Sequence, residues 1–295
     1  MLCLPIGVLF SQQEILLYPK EIPNNRKNVE DPEIIEYREK GGKVFRNTMV
    51  PTLTIFKPKT PNGKAIIICP GGGYAKTAHE KEGALVAQRL LKDSITSFVL
   101  KYRIPHNTRN IDKSLAPLQD AQQAIRWVRK NAIHHQIDQQ LIGIMGFSAG
   151  GHLASSASTH FNQNADSDEQ DSTSVRPDFS ILIYPVISFS DEIGHLGSRR
   201  NLLGKQPIPE QIEYWSNEKQ VTSDTPPTFL VHASDDQSVS VKNSLRYYEA
   251  CFDHGVSAEM HIYPNGGHGF GMYNVTTQDK WIDRLSNWLK TIQQK

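Results

Sequence analysis

The sequence has no apolar run long enough to cross a membrane as a helix, and no marked excess of charge of either sign. No stretch approaches the roughly 20 apolar residues that a membrane-spanning helix needs. The 32 basic and 31 acidic residues leave a net charge of +1, which gives no reason to expect nucleic acid or an anionic membrane as the main partner. The balanced charge instead favours a small molecule or a neutral polymer as the ligand. With 38% hydrophobic residues, the composition is that of a soluble globular protein.

Cysteine is scarce as well. The three cysteines, at positions 3, 69 and 251, match no metal-ligand spacing and form no dense disulfide framework. We therefore expect packing rather than cross-links to stabilise the fold. The sequence predicts no metal and no organic cofactor, because several histidines look structural and form no convincing metal set; these are His134, His135, His152 and His232.

The N-terminus has the apolar core of a secretory signal peptide but lacks its basic first part. The chain begins MLCLPIGVLFSQ, and no lysine or arginine precedes the apolar run. A buried N-terminal strand is the alternative. We predict a signal peptide over residues 1–13, a secreted or periplasmic protein, and a single catalytic domain over residues 14–295.

From residue 65 onward, short apolar strands alternate with amphipathic helices. AIIIC (65–69) is an uninterrupted apolar run of the kind found in strands that are buried on both faces. This alternation is typical of an α/β fold with a mostly parallel sheet and helices on both faces. Predicted strands cover 44–58, 65–69, 94–102, 141–146, 179–185, 227–233 and 258–264, and predicted helices cover 80–93, 117–133, 149–160, 241–254 and 278–292.

Two segments interrupt this alternation. Residues 164–178 are polar and predict a surface loop. Residues 188–224 form a longer insertion between two predicted strands and contain a short predicted helix near 208–215. Because such insertions often overhang an active site, we expect 188–224 to shape ligand specificity.

GFSAG, at residues 146–150, matches the G-x-S-x-G pattern of a nucleophile elbow. In that motif a sharp turn from a strand into a helix lifts the serine hydroxyl above the sheet. A five-residue pattern occurs by chance in many proteins, and a small-residue turn is the alternative. The strand predicted before the motif and the helix predicted after it favour Ser148 as a nucleophile.

A serine nucleophile needs an acid and a histidine, which in this architecture follow it in that order. FLVHASDDQSV (229–239) ends a predicted strand with two adjacent acids, and NGGHGFG (265–271) places His268 among glycines after the last strand. Ends of parallel strands meet at one edge of a sheet. We therefore expect His268 as the base and Asp236 as the acid, with Asp235 as the alternative acid and otherwise a ligand of loop amides.

CPGGGY, at residues 69–74, follows an apolar strand where an oxyanion loop is expected. Its glycines allow the backbone to approach a substrate closely, so that amides can stabilise the charge of a tetrahedral intermediate. We expect the donors to be Gly72, Gly73 and Ala149, with the Tyr74 amide as a replacement for one glycine. A glycine turn into a helix is the alternative.

These segments together resemble the α/β-hydrolase superfamily, and within it the acetyl xylan esterases and feruloyl-esterase-like (BD-FAE-type) carbohydrate esterases. The resemblance covers nearly everything after the signal-like segment. It implies Ser148 as nucleophile, Asp236 as acid, His268 as base, and oxyanion donors on the PGGG loop and at Ala149. Relatives commonly have proline at position 240, where this chain has Ser240, so the acid loop is expected to be less rigid. The resemblance rests on PTLTIFKP (51–58), CPGGGY, KEG (81–83), LKYRIP (100–105), PLQDAQQAIRWVR (117–129), GFSAGGHLA (146–154), SRRNLLG (198–204) and HIYPNGGHGFG (261–271).

The same resemblance implies a serine esterase that removes O-acetyl groups from plant or algal polysaccharides or oligosaccharides, without a cofactor. From their positions alone, Tyr74, Glu82 and Arg199 are candidate substrate contacts. Two alternatives stay open. A serine peptidase of the prolyl oligopeptidase type shares the motif order but usually carries a further large domain, and a non-catalytic ligand-binding protein on this scaffold often lacks a triad residue.

Overall fold

A sheet of eight strands, six of them parallel, forms the centre of the computed structural model, which describes residues 13–39, 41–166 and 171–293. The strand order is β1-β4-β6-β5-β7-β8-β9-β10, while β2 and β3 form a separate antiparallel hairpin. Strands β5 to β10 run parallel, and β4 and β1 extend one edge in antiparallel fashion. The strands are β1 Gln13–Leu16, β2 Ile34–Arg38, β3 Gly42–Arg46, β4 Thr52–Phe56, β5 Gly63–Cys69, β6 Thr96–Lys101, β7 Ile137–Phe147, β8 Phe179–Ile183, β9 Thr228–Ala233 and β10 Ala258–Tyr263.

Helices connect the parallel strands, as the alternating pattern predicts. The predicted helix over 80–93 is irregular: a wide turn over Glu80–Ala84 leads into α1, and a tight turn over Leu91–Asp93 follows it. The wide turn carries Lys81 and Glu82. The helices are α1 Leu85–Leu90, α2 Ala116–Lys130, α3 Ala132–His135, α4 Ala149–Thr159, α5 Leu196–Leu203, α6 Pro209–Tyr214, α7 Lys242–Asp253 and α8 Trp281–Thr291.

The core lies on both faces of the sheet, which explains why its strands read as continuous apolar runs. In β5, Ile67 packs into one apolar cluster, whereas its neighbours Ile66 and Ile68 pack into the other. The second cluster also contains the apolar face of α8, with Trp281 and Leu285 buried. The prediction of a mostly parallel sheet covered on both faces is therefore confirmed.

The stretch 44–58, predicted as strand with an irregularity marked by proline, is divided between two strands that belong to different sheets. β3 pairs with β2, whereas β4 joins the central sheet beside β6. The chain changes direction between them, where Asn47 adopts a left-handed conformation with φ of 55°. Pro51, which has no backbone donor for a sheet ladder, ends this connection immediately before β4.

Several N-terminal and surface predictions concern segments that are only partly described. The predicted signal peptide over residues 1–13 lies outside the described residues except for Gln13, the first residue of β1. In the predicted loop over 164–178, the described positions contain no helix or strand. Within the described ranges, no helix combines the length and apolarity needed to cross a membrane.

A buried ion pair anchors the N-terminal lead-in to the sheet edge. The side chains of Arg103 and Asp120 are fully buried and meet at 2.8 Å, and Arg103 also donates to the Pro23 carbonyl and to Asn25. Removing one partner of such a pair leaves an uncompensated buried charge.

We expect Asp120→Ala to lower the free energy of unfolding by about 3–5 kcal/mol, measured by urea denaturation. The control Asp224→Ala, which removes an exposed carboxylate, should change stability little, and equal losses would contradict this role.

Candidate active site

Four loops at the carboxyl edge of the sheet meet around one cavity of about 520 Å³. These loops follow β5, β7, β9 and β10. β5 pairs with β7 and β9 pairs with β10, and β8 lies between the two pairs. The parallel topology thus brings together side chains that are 120 residues apart in sequence, namely Ser148 and His268.

Ser148 lies in the sharp turn between β7 and α4, at the mouth of this cavity. Its backbone has φ 53° and ψ −119°, a conformation that a non-glycine residue rarely adopts. Surrounding hydrogen bonds hold the strained turn, since the Ser148 amide donates to the Ile183 carbonyl and the Ser148 carbonyl accepts from the Val186 amide. Such strain persists only where the surrounding structure enforces it, and it is frequent at functional sites.

The two glycines of GFSAG are required by close backbone contacts on either side of Ser148. A Cβ atom on Gly146 would lie 2.0 Å from the Gly150 carbonyl oxygen, and one on Gly150 would lie 2.1 Å from the Cys69 carbonyl oxygen. Both distances are far below a van der Waals contact. The motif therefore has glycine at these two positions because the turn packs closely against itself and against β5.

His268 and Asp236 complete a chain of hydrogen bonds that begins at Ser148. The His268 Nε2 atom lies 2.8 Å from Ser148 Oγ, and its Nδ1 atom lies 2.6 Å from Asp236 Oδ2. With the proton on Nδ1 donated to the carboxylate, Nε2 is left as an acceptor for the serine hydroxyl. The arrangement can deprotonate the hydroxyl and keep the resulting imidazolium beside a negative charge.

The surroundings of Asp236 keep its carboxyl group ionised. Oδ1 accepts hydrogen bonds from the amides of Ser238 and Val239, each at 2.9 Å. On the other side, His232 Nε2 lies 3.3 Å from Oδ2. Burial raises the pKa of Asp236, but hydrogen bonds from His232, His268 and Val239 outweigh burial and hold the pKa well below its usual value. A negative charge is thereby maintained next to His268.

Asp235, the neighbouring acid, points elsewhere. Its Oδ1 atom accepts a hydrogen bond from the Gly267 amide at 2.8 Å, and the residue is exposed. It thus binds the loop that carries His268 without bonding to the imidazole. The two adjacent acids have different partners, one the histidine side chain and the other the histidine loop.

The glycine loop after β5 forms the opposite wall of the cavity. Gly72 and Gly73 line it together with Ser148, and the Gly73 carbonyl accepts a hydrogen bond from Asn201 of α5 at 2.7 Å. The amides of Gly72, Gly73 and Ala149 have no acceptor among the described residues. These amides are the donors expected from the sequence, and they are available to an oxyanion.

A buried carboxyl group, Glu82, connects the glycine loop to the histidine loop. One Glu82 oxygen accepts from the Gly71 amide at 2.8 Å, and the other accepts from the Tyr184 hydroxyl at 2.9 Å. The Tyr184 oxygen in turn accepts from the Gly271 amide at 2.9 Å, and its ring lies 5.1 Å from that of His268. Burial raises the pKa of Glu82, while the Tyr184 and Gly71 hydrogen bonds favour its charged form.

The three candidate substrate contacts occupy different environments. Glu82 borders the cavity, but both of its oxygens are engaged as described. Tyr74 is buried at 1% exposure, and its hydroxyl bonds to His152 Nδ1 at 2.9 Å. Arg199 binds the Phe189 carbonyl and Asp191. Neither Tyr74 nor Arg199 is among the residues that line the cavity.

Most residues of the cavity wall are not among the site residues predicted from the sequence. The hairpin β2–β3 supplies one side of it, and the 188–224 insertion contributes His195. Local motifs do not show that these positions share one cavity, because they converge only through folding. Besides the predicted residues, the lining contains Arg38, Gly41, Val44, Lys76, Ala78, Lys81, His195, Ser238 and Gly269.

Residues 53–250 match the model of the BD-FAE family, which corresponds to 198 of the 295 residues. The chain belongs to the BD-FAE family. It is 40% identical to an acetylxylan esterase from Xylanibacter ruminicola over 81% of this chain and 48% of that protein. It is 37% identical to endo-1,4-beta-xylanase B from Butyrivibrio fibrisolvens over 73% of this chain and 34% of that protein. The chain thus spans less than half the length of these two curated relatives.

A solved structure matches this BD-FAE member along nearly its whole length. It is the crystal structure of an acetyl ester-xyloside bifunctional hydrolase from Caldicellulosiruptor lactoaceticus, with a TM-score of 0.79 and 37% identity. The match covers 95% of this chain and 96% of that one. The chain therefore has the α/β-hydrolase fold, as predicted, and the esterase names of its relatives support hydrolase activity.

The network through Tyr184 leads to a prediction about turnover in this BD-FAE member. Tyr184→Phe removes the hydroxyl that binds both Glu82 and the Gly271 amide, which loosens the glycine and histidine loops together. We expect kcat for ester hydrolysis to fall about tenfold to a hundredfold, with little change in KM, because small misplacements of reacting groups are costly. Steady-state kinetics on 4-nitrophenyl acetate measure both constants.

Tyr263→Phe is the matched control for this variant. It also loses a hydroxyl hydrogen bond, to Asp279 at 2.8 Å, but Tyr263 is not among the residues that line the cavity. Equal kcat losses in the two variants, or a Tyr184→Phe effect confined to KM, would contradict the positioning role.

Proposed function

We propose that the protein is a serine carboxylic-ester hydrolase that removes O-acetyl groups from plant or algal polysaccharides or oligosaccharides. The observation that carries the proposal is the hydrogen-bonded series from Ser148 to His268 to Asp236, at 2.8 and 2.6 Å, opening into the cavity. The relatives named for acetylxylan esterase and acetyl ester-xyloside hydrolase activities support acetyl esters as the substrate.

In the proposed first half-reaction, Ser148 Oγ attacks the carbonyl carbon of the acetyl ester while His268 Nε2 takes the hydroxyl proton. The carbonyl oxygen becomes an oxyanion, which the amides of Gly72, Gly73 and Ala149 stabilise. Each such donor is typically worth about a hundredfold to a thousandfold in rate. His268 then protonates the departing sugar oxygen, which leaves Ser148 acetylated.

In the second half-reaction, water enters the vacated part of the cavity and attacks the acetyl group. His268 takes a proton from this water and returns it to Ser148 as acetate leaves. Asp236 keeps the imidazole in the required tautomer and lies beside the imidazolium in both halves. The groups named here, together with water, complete the cycle.

Acetate release from acetylated xylan, measured enzymatically against a de-esterified control, tests the proposed activity. We expect acetate from the acetylated polymer and labelling of Ser148 by a fluorophosphonate probe. A protein that cleaves peptides but not acetyl esters would instead be a peptidase of the prolyl oligopeptidase type. A protein that takes no label and releases no acetate would be a non-catalytic binder.

We also propose that the protein is secreted or periplasmic and that residues 14–295 form a single catalytic domain. The signal-like residues 1–13 and the polysaccharide-directed relatives support this proposal. Fractionation of the producing cells, with N-terminal sequencing of the recovered protein, tests it. An uncleaved protein confined to the cytoplasm would contradict export. The proposed partner is an acetylated carbohydrate or small ester, and we expect no nucleic acid partner.

A further inference from the structure

The proposed acetyl-ester site is surrounded by positive charge. Three cationic side chains line the cavity that contains Ser148: Arg38 from the end of β2, Lys76 from the glycine loop and Lys81 from the wide turn before α1. We call these three residues the cationic rim. They come from three separate segments of the chain, so their convergence is a product of the fold rather than of a local basic run.

Acidic side chains near the cationic rim do not neutralise it. Glu82 is the one carboxyl group among the described residues that line the cavity, so at most one negative charge there stands against the three positive charges of the rim. Arg38 pairs with Glu36 at 2.8 Å, but the same Glu36 also pairs with Arg46. Two guanidinium groups thus share one carboxylate, and a net positive charge remains.

Lys76 and Lys81 are half-buried and have no ion-pair partner among the described residues. Withdrawing a lysine from water without a counter-ion costs free energy. Burial lowers the pKa of Lys76, and the charges of Arg38 and Arg46 lower it further, which Glu36 and Glu82 do not offset. Keeping a lysine charged in this partly buried site therefore costs free energy, and the binding of an anion would offset that cost.

We propose that the cationic rim binds an anionic group on the sugar that carries the acetyl ester or on its neighbour, namely a uronic acid carboxylate or a sulfate ester. The proposal deepens the proposed function and rests on it for the identity of the reacting ester. The acetyl group itself is neutral, so the anion must belong to the carbohydrate. A cavity of about 520 Å³ has the volume of a sphere about 10 Å in diameter, which places a bound anion on the sugar that carries the ester or on a neighbouring sugar.

A matched substrate pair tests this proposal. The first substrate is an acetylated xylo-oligosaccharide with a glucuronic acid branch beside the acetylated xylose, and the second is the same compound with its carboxyl group reduced to an alcohol. The two differ in charge but hardly in size. We expect wild-type kcat/KM to be about tenfold higher for the acidic substrate, and the preference to shrink in 0.5 M NaCl. A third substrate, with a sulfate ester in place of the uronic acid, distinguishes the two sources of the anion.

The variants Lys76→Met and Lys81→Met remove the charge but keep most of the side-chain length. We expect each to lower the ratio of kcat/KM values, acidic over reduced, and the double variant to bring it near one. Lys92→Met is the control, because Lys92 is exposed in the turn after α1 and outside the cavity lining. That control should keep the wild-type ratio.

Calorimetric binding of the same pair to Ser148→Ala separates this inference from the proposed function. A preference for the acidic oligosaccharide in binding, without acetate release by the wild type, would overturn the proposed function and support the cationic rim. Equal turnover and equal binding of the pair would overturn the inference and leave the esterase proposal standing. A preference that survives in the double lysine variant would also overturn it.

Discussion

Ser148→Ala is expected to lower kcat for ester hydrolysis by about a million-fold, as removal of the nucleophile does in a serine hydrolase. The Ser148 hydroxyl lies 2.8 Å from His268 Nε2 and is the only group that the proposed mechanism places in covalent contact with the acyl carbon. The glycine amides remain, so a small residual rate above that of water is expected. Acetate release and 4-nitrophenyl acetate hydrolysis measure the change.

Two controls make this result specific. Ser223→Ala removes an exposed hydroxyl from a surface turn, and we expect wild-type kinetics from it. Thermal unfolding should show that Ser148→Ala is folded, since alanine keeps the Cβ atom in the strained turn. Hydrolysis by folded Ser148→Ala at a rate within tenfold of wild type would mean that another group performs the attack.

Asp236→Asn should have the next largest effect, a decrease in kcat of about ten thousand-fold with little change in fold. The amide of asparagine can donate toward His268 Nδ1, which favours the imidazole tautomer with its proton on Nε2. That tautomer cannot accept the Ser148 proton. The asparagine also lacks the negative charge that stabilises the imidazolium, and steady-state kinetics across pH measure the combined loss.

Asp235→Asn provides the comparison within the same loop. Its Oδ1 atom accepts a hydrogen bond from the Gly267 amide, an acceptor role that asparagine preserves. We expect kcat to fall less than about tenfold, because only the charge at an exposed position is lost. If Asp235→Asn were the more damaging of the two substitutions, the acid would have to be reassigned to Asp235.

Much of the fold follows from sequence patterns because those patterns are local. Runs such as AIIIC mark strands buried on both faces, and the structure places Ile67 in one core cluster and Ile66 in the other. The pattern over 44–58 predicts strand but not its division between two sheets, because apolar content alone does not show whether adjacent segments join the same sheet. Here β3 pairs with β2 and β4 with β6.

The residues that support Glu82 and Asp236 are not marked by comparable sequence patterns. Tyr184 follows β8 with φ of 37°, and its hydroxyl meets Glu82, which is 102 residues away in sequence. His232, a structural histidine by the sequence prediction, lies with its ring beside Asp236. No local sequence pattern indicates either contact. Their contacts depend on how loops from different strands pack at the sheet edge.

The sequence by itself determined the parallel α/β architecture, the elbow around Ser148 and the edge of the sheet at which candidate partners gather. These features depend on hydrophobic periodicity and on short contiguous motifs, and such local patterns directly favour strands, turns or helices. The sequence favoured Asp236 over Asp235, and the tertiary structure places Asp236 against His268. The tertiary structure alone decided that Glu82 joins two loops and that Arg38, Lys76 and Lys81 surround one cavity. Such juxtapositions arise from side-chain directions and long-range packing, for which neighbouring residues carry no information.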